Sequence, residues 1–250
     1  MRIIISPAKK MQVKTDILAC RNLPRFMDDT ERLLAELRTL SYEEAKNLWN
    51  CSDSIASSNY DNLKTMNLYE RLTPAVLSYQ GIQYQYMAPD VFTAEAYEYI
   101  EEHLRILSGF YGVLRPFDGV QPYRLEMQAR FRRTHVDSLY DFWGKKLAEQ
   151  LFSETSLVLN LASKEYSKCV EPYTPPDKLF VTCMFGQIEN GKLKDKGTLC
   201  KMARGEMVRY LAESGATEIE EVKAFCGLGY RWNKELSSDR NLVFVQETSD

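Results

Sequence analysis

Four short segments of this sequence combine arginine, lysine, carboxylate and tyrosine side chains in a way suited to holding or transforming an anion. The densest is 107–127, which contains Arg115, Arg124 and Glu126 among glycines, prolines and aromatics. That mixture cannot form one regular amphipathic element, so the segment is either a cover over the core or the wall of a site. An arginine offers a planar fork to phosphate or carboxylate, and a carboxylate such as Glu126 can orient that fork.

In 160–166, Ser163 placed as an N-cap would set Lys164, Glu165 and Tyr166 in a first helical turn beside free amides, with Asn160 just before. Ordinary helix capping accounts for the same residues. Lys201 and Arg204 lie three apart on one helix face, as a phosphate clamp or a surface pair. Gly205 beside them costs a helix about 1 kcal/mol against alanine, which points to close backbone packing at that spot. Lys9, in Ser6-Pro7-Ala8-Lys9, follows a strand pattern and can point into a crevice. The candidate acid/base groups are Lys9, Glu126 and Tyr166. Candidate phosphate ligands are Lys9, Arg115, Arg124, Asn160, Ser163, Lys201 and Arg204.

The elements that must position them follow from spacing. Ile3-Ile4-Ile5 reads as a buried strand, 28–39 as a helix, and Ser41 with Glu44 as the capping box of the next one. The two helices are joined by almost nothing, which predicts a tight helical hairpin over about 28–50. Further helices are expected at 93–106, 138–152, from 164, and 198–212, with a second capping box at Thr217 and Glu220. Strands are expected at 157–160, 178–187, 224–226 and 241–246. This is an α+β class, mixed and too irregular in order for a doubly wound sheet or barrel. No linker divides it, so a single body over 1–250 is expected.

Composition narrows the function classes. Net charge is −3, so nucleic-acid binding would require a locally basic groove on an acidic body. The Arg130, Arg132 and Arg133 cluster and the Lys192, Lys194, Lys196 and Lys201 run are either such a groove or solvated faces. The six cysteines (Cys20, Cys51, Cys169, Cys183, Cys200, Cys226) form no C-x-x-C pair, which argues against zinc, iron–sulfur and thioredoxin chemistry. They read as free, mostly buried thiols, with redox sensing by one of them left open. Two distant histidines, His103 and His135, make neither a metal site nor a Ser-His-Asp machine, and no cofactor is expected. The N-terminus lacks the apolar stretch of a signal peptide and no segment approaches the roughly 20 apolar residues of a membrane span, so a cytoplasmic location away from membranes is expected.

Ile5–Lys9, Leu107–Pro116, Gln121–Met127, Asn160–Tyr166 and Ala203-Arg204-Gly205 together resemble the signature segments of the YaaA peroxide-stress family, in the family's order and across nearly the whole chain. The resemblance implies a bacterial cytoplasmic protein that limits intracellular free iron and oxidative DNA damage under hydrogen peroxide. It also implies a mixed fold with a helix-hairpin-helix element, a positively charged cleft, and binding of duplex or branched DNA with little sequence preference. The hairpin at about 28–50 is where that element would lie, with Arg38, Lys46 and Arg32 supplying charge to phosphates. Its connection Thr39-Leu40-Ser41 lacks the glycine such hairpins use to approach phosphate.

Two functions are therefore carried forward. One is a DNA-binding stress protein whose cationic cleft holds phosphates. The other is an enzyme acting on a nucleotide or other small anionic metabolite, since convergent Lys, Arg, Glu, Asn, Ser and Tyr residues are what an active site requires. Direct iron chelation is a weaker third, because the motifs display no carboxylate-rich site.

Overall fold

Three consecutive isoleucines, Ile3, Ile4 and Ile5, are fully buried, which requires a strand covered on both faces. They form strand β1 (Arg2–Ile5), near the middle of an eight-stranded sheet. The computed structural model describes residues 1–132 and 136–246. The other strands are β2 (Leu104–Ser108), β3 (Gly112–Leu114), β4 (Leu157–Asn160), β5 (Leu179–Glu189), β6 (Lys192–Lys194), β7 (Tyr230–Trp232) and β8 (Asn241–Gln246). Their order is β7-β8-β5-β4-β1-β2-β3, with β6 paired to β5. The five inner strands are parallel, and β3, β6 and β7 add antiparallel pairings. The class is mixed α+β, with more regularity than the sequence suggested.

One feature of this order positions the site. From β1 the next parallel strand, β2, lies on one side, whereas from β4 the next, β5, lies on the other. β1 and β4 are neighbours. Connections leaving adjacent strands in opposite directions open a crevice at the strands' carboxyl ends, where ligands bind in parallel sheets.

The main helices are α1 (Met27–Arg38), α2 (Tyr42–Trp49), α3 (Asp53–Thr65), α4 (Ile82–Met87), α5 (Ala94–His103), α6 (Leu139–Trp143), α7 (Lys146–Glu154), α8 (Lys164–Ser167), α9 (Gly197–Ser214) and α10 (Ile219–Lys223). The capping box opening α2 is present: Ser41 N donates to Glu44 Oε2 at 2.8 Å and Glu44 N to Ser41 Oγ at 3.3 Å. α1 and α2 exist close to their expected bounds, but both pack on α3 rather than closing on each other. The expected two-helix hairpin is thus part of a three-helix cluster. No described helix is long and apolar enough to cross a membrane.

Several expectations are corrected. The helix of 93–106 stops at His103, because Leu104–Ser108 pairs with β1 in the register Ile3↔Leu104 and Ile5↔Ile106. The helix of 138–152 is broken at Gly144, whose φ of +48° leaves the helical region. The second capping box is shifted by one residue, to Glu218 and Glu221. Residues 224–226 are not a strand: Phe225 is 2% exposed and packs edge-on against Phe244, while the strand forms later, at Tyr230–Trp232.

Gly205 behaves as its sequence position implied. α9 crosses α4 so closely that a β-carbon on Gly205 would overlap the Gln83 carbonyl oxygen and approach Met87 N to 2.9 Å. Gly197, in the first turn of α9, has nothing within 4 Å of the same position. Gly205→Ala is expected to destabilise the protein by about 1–3 kcal/mol in denaturant unfolding through overpacking. Gly197→Ala should cost nothing, and equal stabilities for the two variants would refute the close crossing.

Candidate functional site

The crevice between the carboxyl ends of β1 and β4 is closed at its base by two serines. Ser6 Oγ accepts from Ser163 N at 2.8 Å and donates to Ser163 Oγ at 3.2 Å. Ser163 stands at the N-cap of α8, yet its hydroxyl is spent on Ser6 and makes no capping bond. Tyr84 OH donates to the Ser6 carbonyl at 3.0 Å, tying α4 to the same point. Two strand ends and one helix are therefore fixed relative to one another before any ligand arrives.

Above this base lies a cavity of about 410 Å³, within the range of small-molecule sites. Lys9, Arg124 and Glu126 meet there: Lys9 Nζ pairs with Glu126 Oε2 at 2.6 Å, and Arg124 Nη2 with Glu126 Oε1 at 3.4 Å. Lys9 is at the rim, with 65% of its side chain exposed, whereas Arg124 is in the wall at 10%. Lys201 and Arg204 reach the same cavity from α9. Counting Lys10 as well, five cations face two carboxylates, Glu126 and Glu165, in a chain whose net charge is −3.

Three buried donors of this wall have no hydrogen-bond partner: Arg124 Nε, Arg204 Nε and Gln83 Nε2. A buried unpaired donor costs about 1–3 kcal/mol, so the cavity is unsaturated in the sense an acceptor-rich ligand would relieve. Its lining includes Tyr84, Tyr123 and Tyr166, together with Ile82 and Leu125. Tyr123 is locked by hydroxyl contacts to Ser108 Oγ at 2.6 Å and to Tyr79 OH at 2.9 Å. Burial holds the Tyr166 phenol protonated well above its ordinary range, so at neutral pH it offers a hydrogen-bond donor and not a base. Glu165 accepts from Gln128 N at 3.3 Å. Its carboxyl is raised by burial, with the Glu126 charge adding to the effect and the Gln128 N–H and Lys9 opposing it.

Other expected ligands lie elsewhere. Asn160 is 3% exposed and holds the strand-to-turn junction, accepting from Ala162 N at 2.9 Å and donating to Thr182 Oγ1 at 3.2 Å. Arg115 is on the far side of the 107–127 segment, in a second cavity with Arg105 and Asp118. Arg38 donates to the Leu63 and Met66 carbonyls at 3.1 and 2.5 Å, closing the end of α3. Lys46 pairs with Asp53 at 2.6 Å, and Lys196 with Glu189. Arg133 and His135 lie outside the described residues. Among the described residues no group of three or more His, Cys, Asp or Glu side chains could hold a metal. Cys169, Cys183 and Cys200 are buried, and burial raises all three thiols, Cys169 and Cys200 to about 12. Gln83 and Tyr84 are the site residues that a search for charge overlooked. Gly205 was the available signal for Gln83, whose backbone it admits together with that of Met87.

Comparison with known proteins finds relatives that span nearly the whole chain. The profile of the family described as "Peroxide stress protein YaaA" matches residues 1–236. A UPF0246 protein of Lachnoclostridium phytofermentans is 53% identical over 250 residues, covering 100% of this chain and 98% of its own. A UPF0246 protein of Pediococcus pentosaceus is 49% identical over 246 residues, with 98% of each chain covered. Another, from Desulfitobacterium hafniense, is 47% identical over 250 residues and covers both chains completely.

The raised Glu165 carboxyl sets the direction of a pH effect. As pH falls through that raised pKa the cavity loses a negative charge, so an anion should bind more tightly. Calorimetric titration with sulfate, whose own charge is constant over this range, is expected to show affinity rising severalfold on acidification. Glu165→Gln should bind at neutral pH as the acidified wild type does, and an unchanged pH profile in that variant would disprove the role.

Proposed function

The chain belongs to the YaaA peroxide stress protein family, and from that premise we propose that it serves the hydrogen peroxide response by holding DNA phosphates in the cleft between β1 and β4. The observation that carries this reading is the local inversion of charge: five cations against two carboxylates on a net-acidic chain, two of the guanidiniums having buried, unpartnered Nε atoms. Backbone phosphates satisfy such donors without regard to sequence, which fits duplex or branched DNA bound with little base preference. On this reading the contact runs through the cleft. Arg38 and Lys46, the charges assigned to a helix-hairpin-helix, are already occupied by α3 carbonyls and Asp53. Limitation of free iron and of oxidative DNA damage is then an indirect outcome of the response, carried out in the cytoplasm.

A second reading has its own support. The cavity is the size of a small-molecule site, walled by tyrosines and furnished with Glu126 and the raised Glu165 carboxyl. Those features suit an enzyme acting on a nucleotide or another small anionic metabolite, with Lys9 and Glu126 as the paired acid/base groups.

Fluorescence anisotropy with duplex and four-way-junction DNA across a salt series separates the two. Arg124→Ala and Arg204→Ala are each expected to weaken binding about tenfold and to reduce the salt slope by about one phosphate contact, while Lys46→Ala leaves the slope unchanged. DNA binding indifferent to both arginines, together with nucleotides raising the melting temperature of the wild type alone, would replace the first reading with the second.

A further inference from the structure

The segment 107–127 also builds a polar cavity that the cleft does not use, and Arg115 lies in it. It measures about 170 Å³ and sits between β2, α7, the turn after β3 and the stretch preceding α1. The side chains of Arg2 and Arg105 share one face of the sheet, because Ile4, two residues after Arg2, is in register with Arg105. α7 presents Glu154 to that face.

These groups are spent on one another. Glu154 Oε2 accepts from Arg105 Nε and Nη2 at 3.0 and 2.6 Å and from Arg2 Nε at 3.0 Å, and its Oε1 accepts from Gln150 Nε2 at 2.8 Å. Arg105 Nη1 donates to the Glu101 and Leu104 carbonyls at 3.0 and 2.7 Å. Asp118 is different. It is 2% exposed, its Oδ2 accepts from Arg115 N at 2.8 Å, and its Oδ1 is buried with no partner. Arg25 and Arg115 present exposed guanidiniums that have no ion-pair partner among the described residues.

What remains unspent is one carboxylate and two guanidiniums. Its complement is a molecule with one cationic donor and two anionic groups. We propose that this second cavity binds an acidic α-amino acid, its ammonium on Asp118 and its two carboxylates on Arg25 and Arg115. The volume admits about ten non-hydrogen atoms at interior packing density, a limit that aspartate and glutamate meet and a nucleotide exceeds. Burial pushes the Asp118 carboxyl up to about 6, and a ligand ammonium beside Oδ1 would offset that desolvation. Bidentate carboxylate capture is what free guanidiniums do best.

Isothermal titration of the full chain with L-aspartate and L-glutamate tests this, with glutarate and inorganic phosphate as probes lacking the ammonium. Saturable binding of one of the amino acids is expected, about tenfold or more tighter than glutarate or phosphate, because a buried carboxylate left unpaired discriminates strongly. Asp118→Asn and Arg115→Ala should each weaken it about tenfold or more. Arg115 is exposed, so its variant decides the matter should the Asp118 variant fail to fold. No heat with either amino acid, equal binding of glutarate, or binding unchanged in Arg115→Ala overturns the assignment. So does binding lost in Arg204→Ala, which would put the ligand in the cleft.

Discussion

The contact on which the cleft depends is the bond from Ser163 N to Ser6 Oγ, where the neighbouring parallel strands β1 and β4 end. The chain departs in opposite directions from these ends, so without a tie the two turns could separate. The serine pair fixes them, and Tyr84 adds α4 to the same point through the Ser6 carbonyl. α4 in turn carries the backbone that α9 meets at Gly205, and α9 delivers Arg204 and Lys201. The cationic wall therefore rests on one chain of contacts, from the strand end to α4 through the Tyr84 hydroxyl and from α4 to α9 through a close backbone approach. A site meant to hold an anion in fixed geometry needs that kind of support, because guanidiniums on mobile elements would collapse onto the nearest carboxylate.

The two ion networks differ in how much of their capacity is used. Around Glu154 the arginines and the carboxylate satisfy one another, and removing a partner from a buried pair of this kind costs about 3–5 kcal/mol. Burial pushes the Glu154 carboxyl up, but the Gln150 and Arg105 contacts and the Arg2 hydrogen bond outweigh it, so its pKa is held low. That network is a fixed piece of the fold. Around Glu126 the Lys9 partner is mostly exposed, where an ion pair contributes at most about 1 kcal/mol. Lys9 can leave Glu126 for a ligand at small cost, and Arg124 has a buried Nε still unpaired. One carboxylate organises the interior; the other holds one cation at the cavity rim and one in its wall without exhausting them.

Much of this was legible because local chemistry and tertiary demand agreed. Ile3–Ile5 could only be a doubly covered strand, Ser41 and Glu44 form the bonds their spacing implies, and Gly205 in a helix announced a close crossing. The misreadings occurred where they competed. Residues 94–108 continue a helical apolar spacing past His103, and a short buried strand has no alternation with which to contradict it. Only pairing with β1, about a hundred residues away in sequence, decides that Leu104 begins a strand. Gln83 and Tyr84 were invisible for a related reason: neither is charged, and their place in the site comes from tertiary contacts, Gln83 with α9 at Gly205 and Tyr84 with the Ser6 carbonyl.

The 107–127 segment shows how a correct premise can have two answers. Its mixture of residues points to either a cover over the core or the wall of a site, and Arg124 with Glu126 do line a cavity. Yet an irregular backbone driven through a core must satisfy its own amides, and here side chains do so. Ser108 Oγ accepts from the amides of Phe110 and Tyr111, Tyr111 OH accepts from Gln121 N, and Trp143 Nε1 donates to the Gly109 carbonyl. Part of the segment's polarity is therefore structural, substituting for the ladder that glycine and proline interrupt. The same bonds make it rigid. Arg115 with Asp118 at the segment's middle and Arg124 with Glu126 near its end are thus held in two separate cavities by one stretch of chain, which is why a density of charge that looked like a single site resolves into two.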